Sequence, residues 1–453
     1  MMLSKFKSAK HQQHLAQLPK LAQSADDVET LFHTRDFKGR LLAEIAGAKK
    51  TVYISALYIE HDDAGRDFLD ALYAAKKANP ELDIKVFVDW HRAQRGRIGA
   101  EANATNADWY HSVAASHPDL LIPIFGIPVN TREALGVLHL KGFIIDDTVI
   151  YSGASVNNVY LYQHDKYRYD RYHFLRNPEL AAAMKLFIDE MLLPEPAVQK
   201  LDTETRVKTP EIKNLIRDFR LKLRHAAYHF TPQALPDDQL AVTPLIGLGK
   251  KNMLNNTIEH LMCSAQEKVV ICTPYFNLPS TLVRIISRLL RDGKQVEIII
   301  GDKTANDFYI PPEEPFKIIG GLPYLYEINL RRFMQRLQRF SDSEQLTIRL
   351  WKDDDNTYHL KGMWVDNQWQ LITGNNLNPR AWGLDLENAI LIRDPKQELH
   401  AQRQEELTNI RTNTTIIRSY TELDNIRDYP VKIKKLLRRL RRVRLDRLIS
   451  RIL

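Results

Sequence analysis

VLHLKGFII (residues 137–145) is an apolar run of strand composition carrying a histidine and a lysine two positions apart. The same run returns 220 residues later as HLKGMWV (residues 359–365). Each copy reads His-x-Lys followed after four residues by Asp: His139, Lys141 and Asp146, then His359, Lys361 and Asp366. A Gly/Asn turn trails each, Gly153-Ala154-Ser155-Val156-Asn157 in one and Gly374-Asn375-Asn376-Leu377-Asn378 in the other. One match to so short a spacing is weak, but two in matching contexts are strong.

Side chains alternate faces on a strand, so His139 and Lys141 are expected to point the same way, as are His359 and Lys361. A histidine beside a lysine suits a negatively charged oxyacid: one nucleophile or proton carrier and one fixed positive charge. Asp146 and Asp366 lie seven residues after their histidines, an odd number, which puts them on the opposite face of a regular strand. They are expected to be structural, bonded to backbone or to a buried cation. No metal site is expected at the motifs, since neither copy has a Cys, or a His/Glu at helical i, i+4 spacing, beside it.

The repetition extends outward. TVYISALYI (51–59) matches VVICTPYFNL (269–278), aligning Tyr58 with Tyr275, and IKVFVD (84–89) matches VEIIIGD (296–302), each after a helical stretch. Beyond the Gly/Asn turns, DRYHFLRNP (170–178) parallels ENAILIRDP (387–395), pairing an acid with an apolar run and an Arg-Asn/Asp-Pro stop. Strand, helix, strand, the His/Lys strand and one more strand, twice over, predicts an α/β protein of two similar lobes, each a mixed sheet flanked by helices. Residues 25–200 and 243–405 are the expected lobes. An N-terminal segment (1–24), a Pro- and charge-rich linker (201–242) with a helix over 210–228, and a helical basic tail (406–453) complete the chain. The site should lie between the lobes, because each supplies half. The aligned acids Asp170 and Glu387 are the expected partners for the ring N–H of the two histidines.

Charge is concentrated at one end. Residues 431–453 hold ten Lys/Arg and one acid against a whole-chain net charge of +8, so the rest of the chain is near neutral. Apolar residues Ile433, Leu436, Leu437, Leu440, Val443, Leu448, Ile449 and Ile452 recur there close to helical spacing, after Pro430. A basic amphipathic helix can lie on an anionic membrane surface, with Lys5, Lys7 and Lys10 adding to it. It can instead dock on the body, drive homo-oligomerisation, or bind RNA without sequence preference. The segment around 311–334 is aromatic and apolar enough to border a lipid entrance, or to be core. No stretch reaches the roughly 18 apolar residues of a membrane span, and a signal-peptide core is absent. The expectation is a cytoplasmic protein, peripheral on the cytoplasmic side of the inner membrane.

The doubled motif with its trailing turn resembles the phospholipase D superfamily. Nearly the whole chain is similar to the phosphatidylserine synthases of Gram-negative bacteria, through DWHRAQRGRIGA (89–100), HDKYRYDRYH (164–173), DKTANDFYIP (302–311) and LITGNNLNPRAW (371–382). That resemblance implies CDP-diacylglycerol and L-serine as substrates, phosphatidylserine and CMP as products, a phosphatidyl-histidine intermediate and no cofactor. It implies His139 as nucleophile, His359 as proton carrier, and Lys141 and Lys361 as the charges on phosphate. The superfamily usually has Gly-Ser-x-Asn after the Asp, and this chain departs from it; Asn157 and Asn376 are taken as the phosphate contacts, with Asn378 in reserve. Loops after equivalent strand ends offer Arg92, Arg95 and Arg97, and Lys303, Asn306 and Asp307, for cytidine and serine, with Tyr58 and Tyr275 beside them. Cardiolipin synthesis, phospholipid hydrolysis, nuclease action or a non-catalytic lipid- or RNA-binding scaffold are the rivals. A nuclease should show a basic face at the motifs, which a neutral body lacks, and a dead scaffold has no need of both His/Lys pairs.

Overall fold

The computed structural model describes residues 2–96 and 104–442. In the first lobe three strands, Thr51–Ser55, Asp83–Asp89 and Ile124–Ile127, run parallel. The hairpin Gly142–Ile145 and Thr148–Ser152 continues the sheet antiparallel, followed by Tyr172–Arg176. The second lobe repeats this with parallel Lys268–Thr273, Gln295–Gly301 and Leu346–Trp351, then Gly362–Val365, Trp369–Thr373 and Leu386–Arg393. The third parallel strand of each lobe was not expected from the repeat; IPIFGI and LTIRLW share little beyond alternation.

Crossover helices join the parallel strands, as right-handed βαβ units require. Ser280–Arg291 buries Leu282, Ile285, Ile286 and Leu289, the i, i+3, i+4, i+7 stripe that makes a helix amphipathic. Asp63–Ala78 buries Phe68, Leu69 and Leu72 the same way and is capped by Asp62, which accepts from Gly65 N–H.

The lobe boundaries need correction. Leu21–Ala22, placed in the N-terminal segment, pairs with Ala241–Leu248 at the edge of the second lobe's sheet. Thr414–Ile417, placed in the tail, pairs with Leu346–Trp351 at its far edge. Helix His400–Thr412 spans the expected boundary at 405. From it Glu406 reaches the first lobe, bonding Arg171 at 2.7 and 3.0 Å with both groups buried. A buried ion pair of this kind leaves an uncompensated charge if one partner is removed, at a cost of about 3–5 kcal/mol. The linker helix is Lys213–Leu223, shorter than expected at both ends.

The His/Lys strands are not continuous either. Leu138–His139 is separated from Gly142–Ile145, and Thr357–Tyr358 from Gly362–Val365. Gly142 and Gly362 turn the chain with φ of 116° and 147°, which side chains rarely tolerate. Each short piece therefore leaves its own sheet and pairs across the interface. Leu138–His139 runs parallel to Leu386–Glu387, and Thr357–Tyr358 runs parallel to Arg168–Tyr169.

Candidate active site

Pairing across the interface gives each histidine the other lobe's acid. His139 Nδ1 lies 2.9 Å from Glu387 Oε2, and His359 Nδ1 lies 3.2 Å from Asp170 Oδ2. The lysines cross as well. Lys361 sits against Gly153 and is 3.2 Å from Asp170, while Lys141 packs on Gly374 and donates to Ala154 O (3.0 Å) and Ser155 Oγ (3.2 Å). A Cβ at Gly374 would meet Lys141 Cγ at 2.8 Å, so the turn must be glycine for the lysine to pass. His139 and His359 keep 6% and 7% of their surface exposed, the lysines 1%, so the imidazoles can be reached while the ammonium groups are sunk behind them.

Asn388 and Arg171, equivalent positions after the two acids, hold the lysine backbones from the opposite lobe. Asn388 accepts from Lys141 N–H (2.9 Å) and donates to Lys141 C=O (2.7 Å); Arg171 donates to Lys361 C=O (3.3 Å). Neither had been assigned a role from sequence, although the repeat aligns them.

Electrostatics differ between the halves. Burial, then Lys141 and Lys361, push His139 well below the usual imidazole value. Burial and Lys361 bring His359 to about 4 against the pull of Asp170. Both rings are neutral at pH 7. Burial and the neighbouring Lys361 lower Lys141 to about 7. Burial works to raise Asp170, yet Lys361 and the His359 bond hold it at about 2. Glu387 goes the other way: burial and Asp385 push its carboxyl well above the ordinary range.

Asp146 and Asp366 stay outside the site. Each has φ 49° at its hairpin turn and accepts three backbone N–H bonds, Asp146 from Lys49, Lys50 and Thr51, Asp366 from Gln266, Glu267 and Lys268, all within 3.0 Å. The odd-spacing argument does not explain this, because the strand it assumed is broken.

The hairpin of the second lobe is one residue longer, so Ser155 corresponds to Asn376 and Asn157 to Asn378. Asn157 and Asn378 cap the turns that follow, accepting from Tyr160 N–H (3.0 Å) and Ala381 N–H (2.8 Å). Ser155, missed from sequence, stands beside Lys141, and the buried Oδ1 of Asn376 has no hydrogen-bond partner. Ser155 and Asn376 thus occupy equivalent places in the two turns, while Asn157 and Asn378 are engaged as caps.

Several softer candidates are already engaged. Arg92 stacks on Tyr58 at 4.6 Å, and Tyr58 OH accepts from Asn157 (3.2 Å). Arg95 pairs with Glu133 at 2.9 Å, Lys303 with Glu327 at 3.0 Å, and Asn306 caps Phe308 N–H at 2.9 Å. Tyr275 stands edge-on to the His359 ring, centroids 6.4 Å apart, and bonds Asp307. Arg97 lies outside the described residues. Tyr160, not anticipated, places its OH 2.9 Å from His359 Nδ1.

Two His/Lys pairs converging between repeated α/β lobes define the phospholipase D-like class. Residues 258–411 match the family model described as a cardiolipin synthase, PLD-like domain. The chain is 64% identical over 452 residues to the CDP-diacylglycerol–serine O-phosphatidyltransferase of Escherichia coli (strain K12), covering all of both chains. It is 51% identical to the Haemophilus influenzae (strain Rd) enzyme of that name, again over both full lengths. The crystal structure of phosphatidylserine synthase from Haemophilus influenzae superposes with a TM-score of 0.95, covering 99% of this chain and 100% of that one. The chain belongs to the CDP-diacylglycerol–serine O-phosphatidyltransferase family.

Proposed function

We propose that the chain transfers the phosphatidyl group of CDP-diacylglycerol to the hydroxyl of L-serine through a phosphatidyl-histidine, releasing CMP. The observation that carries the mechanism is the pair of neutral imidazoles, each bound at Nδ1 by a carboxyl group of the other lobe. At His139 the carboxyl on Nδ1 favours the tautomer whose Nε2 lone pair is free, while at His359 Nδ1 is shared by Asp170, Tyr160 and the Lys361 ammonium. His139 Nε2 attacks phosphorus, and the bond to CMP breaks with its electron pair going to the CMP oxygen. Lys141, Lys361, Ser155 and Asn376 neutralise charge on the non-bridging oxygens. In the second step the serine hydroxyl gives its proton to His359 Nε2 as its oxygen bonds phosphorus, and the phosphorus–nitrogen bond to His139 returns its electrons to the ring.

The division of roles follows the asymmetry. His359, bracketed by the firm anion of Asp170 and by Tyr160, suits a proton carrier; His139 has a single carboxyl partner. CMP is a good leaving group, so base assistance to serine matters more than acid assistance to CMP. Labelled CMP should exchange into CDP-diacylglycerol without serine. Exchange that strictly requires serine would instead mean direct displacement.

The donor is a lipid, and one face of the protein suits an anionic bilayer. Helix Val431–Arg442 docks its apolar stripe on the body, with Ile433 and Leu437 buried against Tyr324, Leu325 and Ile328. Docking on the body was one of the readings open for this segment, and Ile433 and Leu437 take it; Val443, Leu448, Ile449 and Ile452 lie outside the described residues. Lys432, Lys435, Arg438 and Arg439 stay exposed on this helix. Beside them Phe316, Ile318 and Ile319 project into solvent, Ile318 with 73% of its surface, at a cavity of about 240 Å³ lined by Ile310, Pro311 and Tyr324. Among the described residues no helix is long and apolar enough to cross a membrane. Basic charge beside apolar side chains matches the anionic cytoplasmic leaflet. Ile318→Asp with Ile319→Asp should weaken sedimentation with anionic vesicles while sparing turnover of detergent-dispersed donor. Unchanged vesicle binding would locate the contact elsewhere; RNA binding or self-association would appear as competition by RNA or as a concentration-dependent mass.

A further inference from the structure

Beside His359 the two lobes bring together an opposite-charge pair that the donor chemistry leaves unused. Arg168 and Asp307 face each other, Nη1 to Oδ2 at 3.7 Å, close enough to attract but too long for a hydrogen bond. Both are mostly buried, with 17% and 16% of their side chains exposed, so they are reachable and yet poorly screened. Each is fixed from behind. Arg168 Nε donates to Thr357 Oγ1 (3.1 Å), and its guanidinium lies over the Tyr160 ring at 5.0 Å; Asp307 accepts from Tyr275 OH. Tyr160 and Tyr275 are also the two aromatic rings at His359, so the pair is tied to the proton carrier from both sides.

The other half-site has a comparable pair, Arg92 and Glu60 at 3.8 Å, but that pair belongs to a single lobe and lies by Tyr58, and the position matching Arg168 differs. Arg168 and Asp385 occupy matching places, each two residues before its lobe's acid, and the charge is reversed between them. Asp385 is consumed by Arg380 at 3.1 Å and by the Val137 N–H at 2.9 Å. The repeat is thus broken in charge at this position, next to the histidine assigned to serine.

We propose that Arg168 and Asp307 are the acceptor pocket, the guanidinium receiving the carboxylate of an α-amino acid and Asp307 its ammonium. Both groups sit on one carbon of serine, which matches an Arg and an Asp held side by side, and the hydroxyl carried by the next carbon then points to His359 Nε2. Two fixed charges and a base make a three-point contact that excludes acceptors lacking either charge, as a site built for polar groups rejects analogues without them. The inference rests on serine being the acceptor.

The full-length enzyme tests it through the split between the two substrates. Arg168→Gln and Asp307→Asn should each raise the KM for serine about 10- to 100-fold, while the KM for CDP-diacylglycerol and serine-independent CMP exchange stay within about twofold. Arg168→Lys, which keeps the charge but not the fork, should fall between wild type and Arg168→Gln. The preference for serine over ethanolamine, which has no carboxylate, should shrink in Arg168→Gln, and that over 3-hydroxypropanoate, which has no ammonium, in Asp307→Asn. Equal losses toward donor and serine, or unchanged preferences, would overturn the pocket. Wild-type enzyme that makes no phosphatidylserine would overturn the reaction instead, and wild type without CMP exchange would overturn the covalent step while the KM split still reads the pocket.

Discussion

His139 and His359 sit in copies of one motif, at equivalent places before a hairpin, with a lysine two residues on, and they are held differently. His139 meets Glu387, whose carboxyl burial pushes well above its ordinary range; His359 meets Asp170, held at about 2, and the Tyr160 hydroxyl besides. Duplication supplied matched geometry, and divergence of the neighbours gave the two rings different surroundings. A pseudo-symmetric site working on one phosphorus needs both: symmetry to bracket the atom, asymmetry so that one ring attacks and the other moves a proton.

The histidines themselves give the strongest test of that comparison. His139→Ala should abolish both serine transfer and CMP exchange, with the thermal transition retained. His359→Ala should lose about 10²- to 10⁴-fold in serine transfer and keep most CMP exchange. If the two variants lose exchange equally, the roles are shared rather than divided.

The acids come next. Asp170→Asn removes a firm anion and should cost about 10²-fold in kcat. Glu387→Gln replaces a carboxyl already pushed toward its neutral form, whose carbonyl can still accept from His139, and should cost about tenfold or less. Steady-state kinetics of the two variants, side by side, would reverse the assignment if Glu387→Gln proved the more damaging.

The smallest effect is in the pH profile of kcat/KM for serine, which reports the half-reaction in which His359 takes the proton. His359, brought to about 4 by burial and Lys361, is neutral at any pH above that. The acid limb should therefore lie near 4 rather than near the ordinary imidazole value. Lys141, brought to about 7, is cationic below that pH and loses its charge as pH rises through it, so the alkaline limb should begin near 7. Lys141→Arg should move that limb upward.

The two lobes, their order and the four chemical residues were legible in the sequence, because a duplicated strand pattern of period two and a repeated triplet survive divergence. Tyr58 aligned with Tyr275, and the acids Asp170 and Glu387, came from the same self-comparison. Exchange of partners did not. That Glu387 serves His139 and Asp170 serves His359 depends on Gly142 and Gly362 turning the chain, so that a short segment leaves its own sheet and pairs with the other lobe. Ser155 stands by Lys141 while Asn157 is taken up in capping Tyr160 N–H, which only the folded turn decides. Arg168 and Asp307 lie 139 positions apart and meet only when the lobes close. Sequence carries periodicity and local spacing, which are properties of one segment; which charge faces which across an interface is fixed only by packing both lobes together.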